Sequence, residues 1–332
     1  MSIENQINKT FDWSQKQYVK RLKGIETQLF RIYNQSYLNV RNQLNTLMES
    51  IGWQSDLNKA MQYNRLSNLQ AQIIEEMKML NKKALRMTEG YIGKEFANKY
   101  YEIGYGLEKP LQMNLRFGLL NPETIKASVV NPFDQIKWQP RMKDAHSGIA
   151  RVMLQADITD GLIRGESYQQ ITRNLKQTVG KSFSNNIMRI VRTEGSRANN
   201  WGNLTALNQA QSYSKEAGLE MVKVWSATLD DRTRPMHGSM DQREEDKSED
   251  GGFTLPDGNW TAAPGLSGLP EHDINERCTT TVKVDGITSK MRRDNITGKN
   301  IPYQSYNEYY QNKILKSNAP IKKPATLKVK PK

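Results

Sequence analysis

One stretch of the chain gathers the side chains that could do chemistry. Between residues 230 and 278 stand Asp230, Asp231, Arg232, Arg234, His237, Asp241, His272, Asp273, Glu276 and Cys278. His237 and Cys278 are the simplest pair for a soft metal such as zinc, with Asp241, His272 or Glu276 as further ligands, because imidazole nitrogen and thiolate sulfur are donors such an ion prefers. No two of these residues sit in a C-x-x-C or H-x3-H arrangement, so they also read as structural: a lone cysteine beside a strand serves as a small buried apolar group. Catalysis would need a nucleophile beside a base, or two carboxylates in different surroundings. Cys278 with His237, or Asp230 with Asp241, could be written that way, but neither carries a local signature. The charged run from Arg243 to Asp250 reads as a solvated loop, since like charges that close repel one another.

These residues must be positioned by what flanks them. Met221 to Ser226 alternates like a strand and Thr279 to Val284 is a second β-rich run, with about fifty residues of Gly, Pro, Asp and Glu between them. Upstream the pattern is helical. Tyr18, Leu22, Ile25, Leu29, Tyr33, Val40, Leu44, Leu47 and Ile51 recur at three and four, with an eleven-residue repeat, predicting one long helix from about 13 to 50. Leu66, Leu69, Ile73, Met77, Leu80, Ala84, Met87 and Tyr91 predict an antiparallel partner, ending before Gly104-Tyr105-Gly106 and Pro110. Short helices and turns are expected to residue 141, then a helix from about 144 to 163, one capped by Ser167 and running to about 179, and a third long helix capped by Ser184 and ending near Gly218. The fold class expected is mainly α with a small α+β C-terminal module: an elongated long-helix part at 1–140, a module at 141–285 with helices to about 218 and two or more antiparallel strands carrying a long loop, and a basic, partly disordered tail at 286–332.

The 332 residues carry 48 Lys plus Arg, 35 Asp plus Glu, a net charge of +13 and one cysteine. One cysteine cannot close an internal disulfide, and zinc sites built on cysteine pairs are excluded. No apolar run is long enough for a membrane span and the N-terminus has no leader pattern, so a soluble, unprocessed protein without membrane partners is expected. The charge is unevenly spread: +6 over residues 1–118, +5 over 119–219, −7 over 220–285 and +9 over 286–332. In the tail, Lys313, Lys316, Lys322, Lys323, Lys328, Lys330 and Lys332 make a candidate nonspecific contact with double-stranded DNA, because clustered cations release counterions whatever the base sequence. Arg189, Arg192 and Arg197 on the third long helix read as a solvated basic face.

Set in order, Val191-Arg192-Thr193-Glu194, Trp225-Ser226-Ala227-Thr228-Leu229-Asp230-Asp231-Arg232-Thr233-Arg234 with His237 three residues on, Gly252-Phe253-Thr254, Pro256-Asp257-Gly258, Pro264-Gly265 and Ile274-Asn275-Glu276-Arg277-Cys278 resemble the head morphogenesis domain of tailed-bacteriophage minor head proteins, the Mu F-like or SPP1-type family. The resemblance covers about residues 140 to 285, and the helical N-terminal half matches only in character. Family members commonly end the last motif Cys-Arg-Cys, where this chain has Glu276-Arg277-Cys278; if the two cysteines hold a metal with the histidine, Glu276 would substitute as an oxygen ligand, or the site would be absent. Read from the residues alone, Asp230 and Asp231 beside Arg232 and Arg234 can form local ion pairs that pin the long loop onto the strands, with Trp225 as core. What the resemblance implies is a noncatalytic minor capsid protein, taken up during prohead assembly, meeting the portal protein, the major capsid or scaffolding protein and packaged DNA, and located in the virion interior near the portal vertex. The alternative is a metal-dependent hydrolase or nuclease using His237, Cys278 and nearby carboxylates.

Overall fold

The computed structural model describes residues 3–51, 59–130, 137–164, 166–248, 250–284 and 291–314. Helix α1 spans Ile3–Ile51 and α2 spans Lys59–Leu111. At 1.5 Å per residue each is about 75–80 Å long. They lie antiparallel in register: Thr10 meets Gly106, Arg21 meets Glu95, and Asn39 meets Glu76. The stripe read from spacing is the one that packs, with Tyr18, Ile25, Leu29, Tyr33, Val40, Leu44 and Leu47 buried on α1, and Leu69, Ile73, Met77, Leu80, Ala84 and Tyr91 on α2.

Helix α2 does not stop at Gly104-Tyr105-Gly106. Those glycines serve close packing: a Cβ on Gly104 would press into the Phe117 ring, and one on Gly106 would overlap the Thr10 side chain. Pro110 lies next to the last residue of α2, and the carbonyl it leaves without its i+4 partner is that of Gly106. Thr10 donates its hydroxyl to that oxygen at 3.0 Å, so a feature read as a break is a helix–helix contact.

Helices α3 (Pro122–Val130) and α4 (Trp138–Val152) follow, the latter continuing through a π-turn (Met153–Thr159) into α5 (Asp160–Ile163). Ser167 caps α6 (Tyr168–Ser182), accepting from the Gln170 N–H as expected. The chain then passes through a second π-turn (Phe183–Ile187) into α7 (Met188–Glu216) without an interruption, and Ser184, expected as a cap, instead returns its hydroxyl to the Gly180 carbonyl. Gly218 ends this helical run at φ +78°. Strand β1 (Met221–Ser226) pairs antiparallel with β4 (Thr279–Val284), Met221 opposite Val284 and Ser226 opposite Thr279. Between them lie α8 (Pro235–Ser239), the short pair β2 (Phe253–Thr254) and β3 (Trp260–Thr261), and α9 (Pro270–Asp273).

Residues 291–314, assigned by charge to the tail, fold as β5 (Met291–Arg293), β6 (Asn300–Pro302), α10 (Tyr306–Tyr309) and a closing π-turn (Tyr310–Ile314). The cores also cross the expected boundaries. Trp138, Met142, Ile149 and Val191 share one core with Leu29, Tyr33 and Ile73, and Ile7 and Phe11 of α1 share another with Leu207, Met221 and Val284.

His146 of α4 sits in the first core as a neutral imidazole, with Nδ1 bonded to the Met142 carbonyl at 2.7 Å and Nε2 facing the Tyr33 hydroxyl at 2.6 Å. Burial pushes its pKa below the ordinary value, opposed by the Met142 bond. Folding therefore gains from His146 above about pH 6.5, and that gain is lost as pH falls toward the lowered value, by at most about 1.4 kcal/mol per pH unit. Thermal unfolding at pH 7.5 and 5.5 should show a drop that His146→Gln flattens; equal drops in both proteins would refute it.

Candidate metal centre

Strand β1 sets the site by burying Trp225, whose indole packs edge-on against Phe253 and His237. The turn after β1 is closed by Asp230, which accepts from the Arg232 N–H at 3.0 Å, and by Thr233, which donates to the Thr228 carbonyl at 2.5 Å. That turn delivers α8, on which His237 points inward and Gly238 leaves space for the Tyr306 ring. From the other side comes the segment 274–278. Asn275 takes φ +57°, a conformation Asn tolerates, and its N–H donates to Thr193 of α7 at 3.1 Å. Asn200, two turns further along α7, donates to the carbonyls of Cys278 (2.9 Å) and Pro264 (2.8 Å).

This brings three of the sequence candidates together. His237, Glu276 and Cys278 are each no more than 3% exposed, and one ligand atom from each lies within 4.8 Å of the others. Glu276 is fixed by its backbone: Oε1 accepts from the N–H groups of Arg277 (2.7 Å) and Cys278 (2.5 Å), which turns Oε2 toward His237 Nδ1 and toward Arg234 Nη1 at 3.3 Å. Burial pushes the Glu276 carboxyl up, but the hydrogen bond and charge of His237, with the thiol and N–H of Cys278, outweigh it and leave it at about 2. Burial, and then the charge of Glu276, push the Cys278 thiol well up. His272 on α9 stacks on His237 with the rings 12° apart, its Nδ1 3.2 Å from His237 Nε2, and its own Nε2 2.9 Å from Asp257 Oδ2.

The other candidates lie elsewhere. Asp241 binds the N–H groups of Ala227 and Tyr306 and the guanidinium of Arg292. Asp273 closes its own loop on Ser267 and Gly268. The expected local ion pairs among 230–234 are replaced by longer-range ones. Asp230 is held bidentately by Arg277, while Arg234 reaches the carbonyls of His272 and Ile274 as well as Glu276. Arg232 and Asp231 are exposed, and Arg232 keeps only a long 3.9 Å pairing with Asp230. The loop is thus pinned to the segment before β4, because arginines with carbonyl and carboxylate partners on both sides bind them in fixed fork geometry.

Arg197 does not join a solvated face either: it is buried, bonded to Glu194 at 2.8 Å and to the Ser128 carbonyl at 2.6 Å, and Arg192 pairs with Glu26. Of the tail lysines, Lys313 is engaged with the buried Asp294 at 2.6 Å; Lys316, Lys322, Lys323, Lys328, Lys330 and Lys332 lie outside the described residues. Asn200 and Arg292 are not among the sequence candidates, and Asp257 enters only within the Pro256-Asp257-Gly258 motif, with no role at the site. For Asn200 a signal existed: it and Asn203 recur at i, i+3 on a helix whose neighbours Ala198, Leu204 and Leu207 are apolar.

Comparison with known proteins bears out the resemblance read from the motifs. Residues 153–281 match the family described as Phage Mu protein F like protein. The minor head protein GP7 of Bacillus phage SPP1 is 25% identical over 309 residues, covering 90% of this chain and 97% of that protein. An NAD(+)–arginine ADP-ribosyltransferase of Enterococcus faecalis is 29% identical over 289 residues, 87% of this chain; the chain spans 57% of that protein's length. No solved structure matches. Among the described residues, no helix is long and apolar enough to cross a membrane.

Proposed function

We propose that this chain, whose residues 153–281 are those of a Phage Mu protein F like domain, is a noncatalytic minor head protein of a tailed phage, incorporated while the prohead assembles. The carrying observation is the end-to-end similarity to a minor head protein, 90% of one chain against 97% of the other, which includes the long helices as well as the motif-bearing module. In this reading the α1–α2 hairpin docks on the portal or on the capsid or scaffolding protein. It has apolar side chains to offer, since Trp13, Val19 and Tyr105 are at least half exposed. Sedimentation with portal-containing proheads tests the assignment: retention is expected, and no retention would overturn it.

DNA contact falls in this reading to the lysines beyond residue 314, because Lys313 already has an acidic partner. Deleting residues 315–332 removes Lys316, Lys322, Lys323, Lys328, Lys330 and Lys332. The log–log salt dependence of DNA binding should flatten by up to about 5, at about 0.9 for each phosphate that a lysine no longer neutralises. An unchanged slope would remove the tail from the interface.

The similarity to an ADP-ribosyltransferase is compatible with this reading, because only 57% of that protein is matched. Full-length protein incubated with NAD(+) and arginine-bearing acceptors is expected to transfer no ADP-ribose, and transfer at enzymatic rates would overturn the noncatalytic reading. A hydrolase or nuclease at His237 and Cys278 is disfavoured by burial, since a group only 1–3% exposed cannot meet a substrate without the module opening.

A further inference from the structure

The geometry points to a borderline-soft divalent cation of the zinc class, held by His237 Nδ1, Glu276 Oε2 and Cys278 Sγ as a structural staple of the module. Hydrogen bookkeeping along the histidine pair leads there. His272 faces a carboxylate with Nε2, so it donates there, and its Nδ1 is a bare acceptor aimed at His237 Nε2. With His272 donating only to Asp257, His237 donates from Nε2 and turns its Nδ1 lone pair toward the Glu276 carboxylate, the orientation a metal ligand needs. In that tautomer two lone pairs meet in a buried place, where a cation stabilises both. A second proton on the imidazole would serve, and so would a metal ion.

Two features favour the metal. The first is the sulfur: Cys278 Sγ lies within 4.8 Å of the same nitrogen and oxygen, and a proton bridging His237 and Glu276 makes no use of it. With a divalent ion, one thiolate, one carboxylate and one neutral imidazole balance the charge of the metal itself, and the Arg234 guanidinium beside Glu276 is held as well by the carbonyls of His272 and Ile274. On binding, the thiol proton and any proton between His237 and Glu276 would leave to solvent. The second is the orientation of the histidine. A metal-bound imidazole usually fixes its ring by hydrogen-bonding through its other nitrogen, and here His237 Nε2 faces His272 Nδ1 at 3.2 Å, with His272 Nε2 against Asp257.

The position explains the need. The ligands join α8 to the segment before β4, across a region whose regular elements between β1 and β4 are two to five residues long. Its own apolar cluster is small, centred on Trp225, Leu229, Met240 and Phe253, and modules with little core are commonly stapled. This inference stands apart from the phage reading and survives its failure.

The test uses the full-length protein. Elemental analysis after expression with zinc should find about one zinc per chain, and exchange with Co(II) should give the intense charge-transfer band of cobalt–thiolate bonding. His237→Gln should lower zinc affinity at least about tenfold, and Cys278→Ser should abolish the cobalt–thiolate band, while His146→Gln, in the helical core, should change neither. Should Cys278→Ser fail to fold, wild-type protein supplies the second readout: a strong chelator should speed alkylation of Cys278. Folded wild-type protein with less than about 0.1 zinc per chain and no cobalt band, or an alkylation rate indifferent to chelator, would overturn the site.

Discussion

Gly202→Ala is expected to destabilise the protein by about 3 kcal/mol, although alanine is the better helix former. Gly202 lies in the middle of α7, where intrinsic propensity alone would award alanine about 1 kcal/mol. The opposite sign follows from the neighbour. A Cβ at this position would fall inside the van der Waals distance of the Phe96 carbonyl oxygen, with the Phe96 carbonyl carbon at 3.1 Å and Lys99 Cβ at 3.2 Å, so it meets α2 backbone that cannot step aside as a side chain would. Overpacking of this kind typically costs 1–3 kcal/mol, occasionally more. The same approach positions a buried polar layer. Lys99 is fully covered and donates to Ser14 of α1 at 2.9 Å; burial pulls its amine down to about 8 against the charges of Glu102 and Glu95. Arg21 completes the layer by bridging Glu95 and Glu102. Pushing α7 away from α2 at Gly202 therefore disturbs Phe96, its edge-on packing with Trp201, and the lysine one turn below. Urea unfolding measures it: the midpoint should fall with the slope unchanged, and a rise would show that α2 and α7 do not meet backbone to backbone there.

The long helices were legible because burial there follows one period. The stripe on α1 depends on nothing beyond a repeat near 3.6, and it packs as read. Breaks were legible only where the backbone itself changed conformation, as at Gly218, and illegible where glycine served close packing. Gly104 and Gly106 carry the same letters as a turn, yet the partners that give them meaning, Phe117 and Thr10, stand 13 and 96 positions away. The site shows the same division. Residue types picked out His237, Glu276 and Cys278, whereas the pairing of arginines with acids did not follow proximity in sequence: Asp230 is held bidentately by Arg277 and meets the Arg232 guanidinium only at 3.9 Å, and Arg234 binds Glu276. Strands β5 and β6, three residues each, are too short to show alternation, and Arg292 and Asp294, inside the stretch assigned by charge to the basic tail, are buried by each finding an opposite charge.

That last pairing carries the second large effect. Asp241→Asn is expected to cost about 3–5 kcal/mol locally and to release residues 291–314 from the module, because it leaves the buried Arg292 without its counter-charge. Asp241 was a candidate metal ligand by residue type, yet its two oxygens are already committed. Oδ1 accepts from the Ala227 N–H at the exit of β1 (2.8 Å), Oδ2 accepts from the Tyr306 N–H at the start of α10 (2.8 Å), and both take the Arg292 guanidinium, at 3.1 and 2.6 Å. Arg292 in turn donates to the carbonyls of Ala227 and Gln304. One carboxylate thus ties the end of β1 to β5 and to α10, and Tyr306, seated against Gly238, links that latch to the helix bearing His237. Asparagine preserves size and one acceptor but not the charge. Hydrogen exchange should then show the amides of 291–314 opening at least about a hundredfold more often, while α1, α2 and α7 stay protected. Pairing Asp241→Asn with Arg292→Met should recover part of the loss, since the orphaned cation is gone. If Asp241→Asn instead stripped the protein of metal while leaving the C-terminal amides protected, the carboxylate would be a ligand and the latch would be wrong.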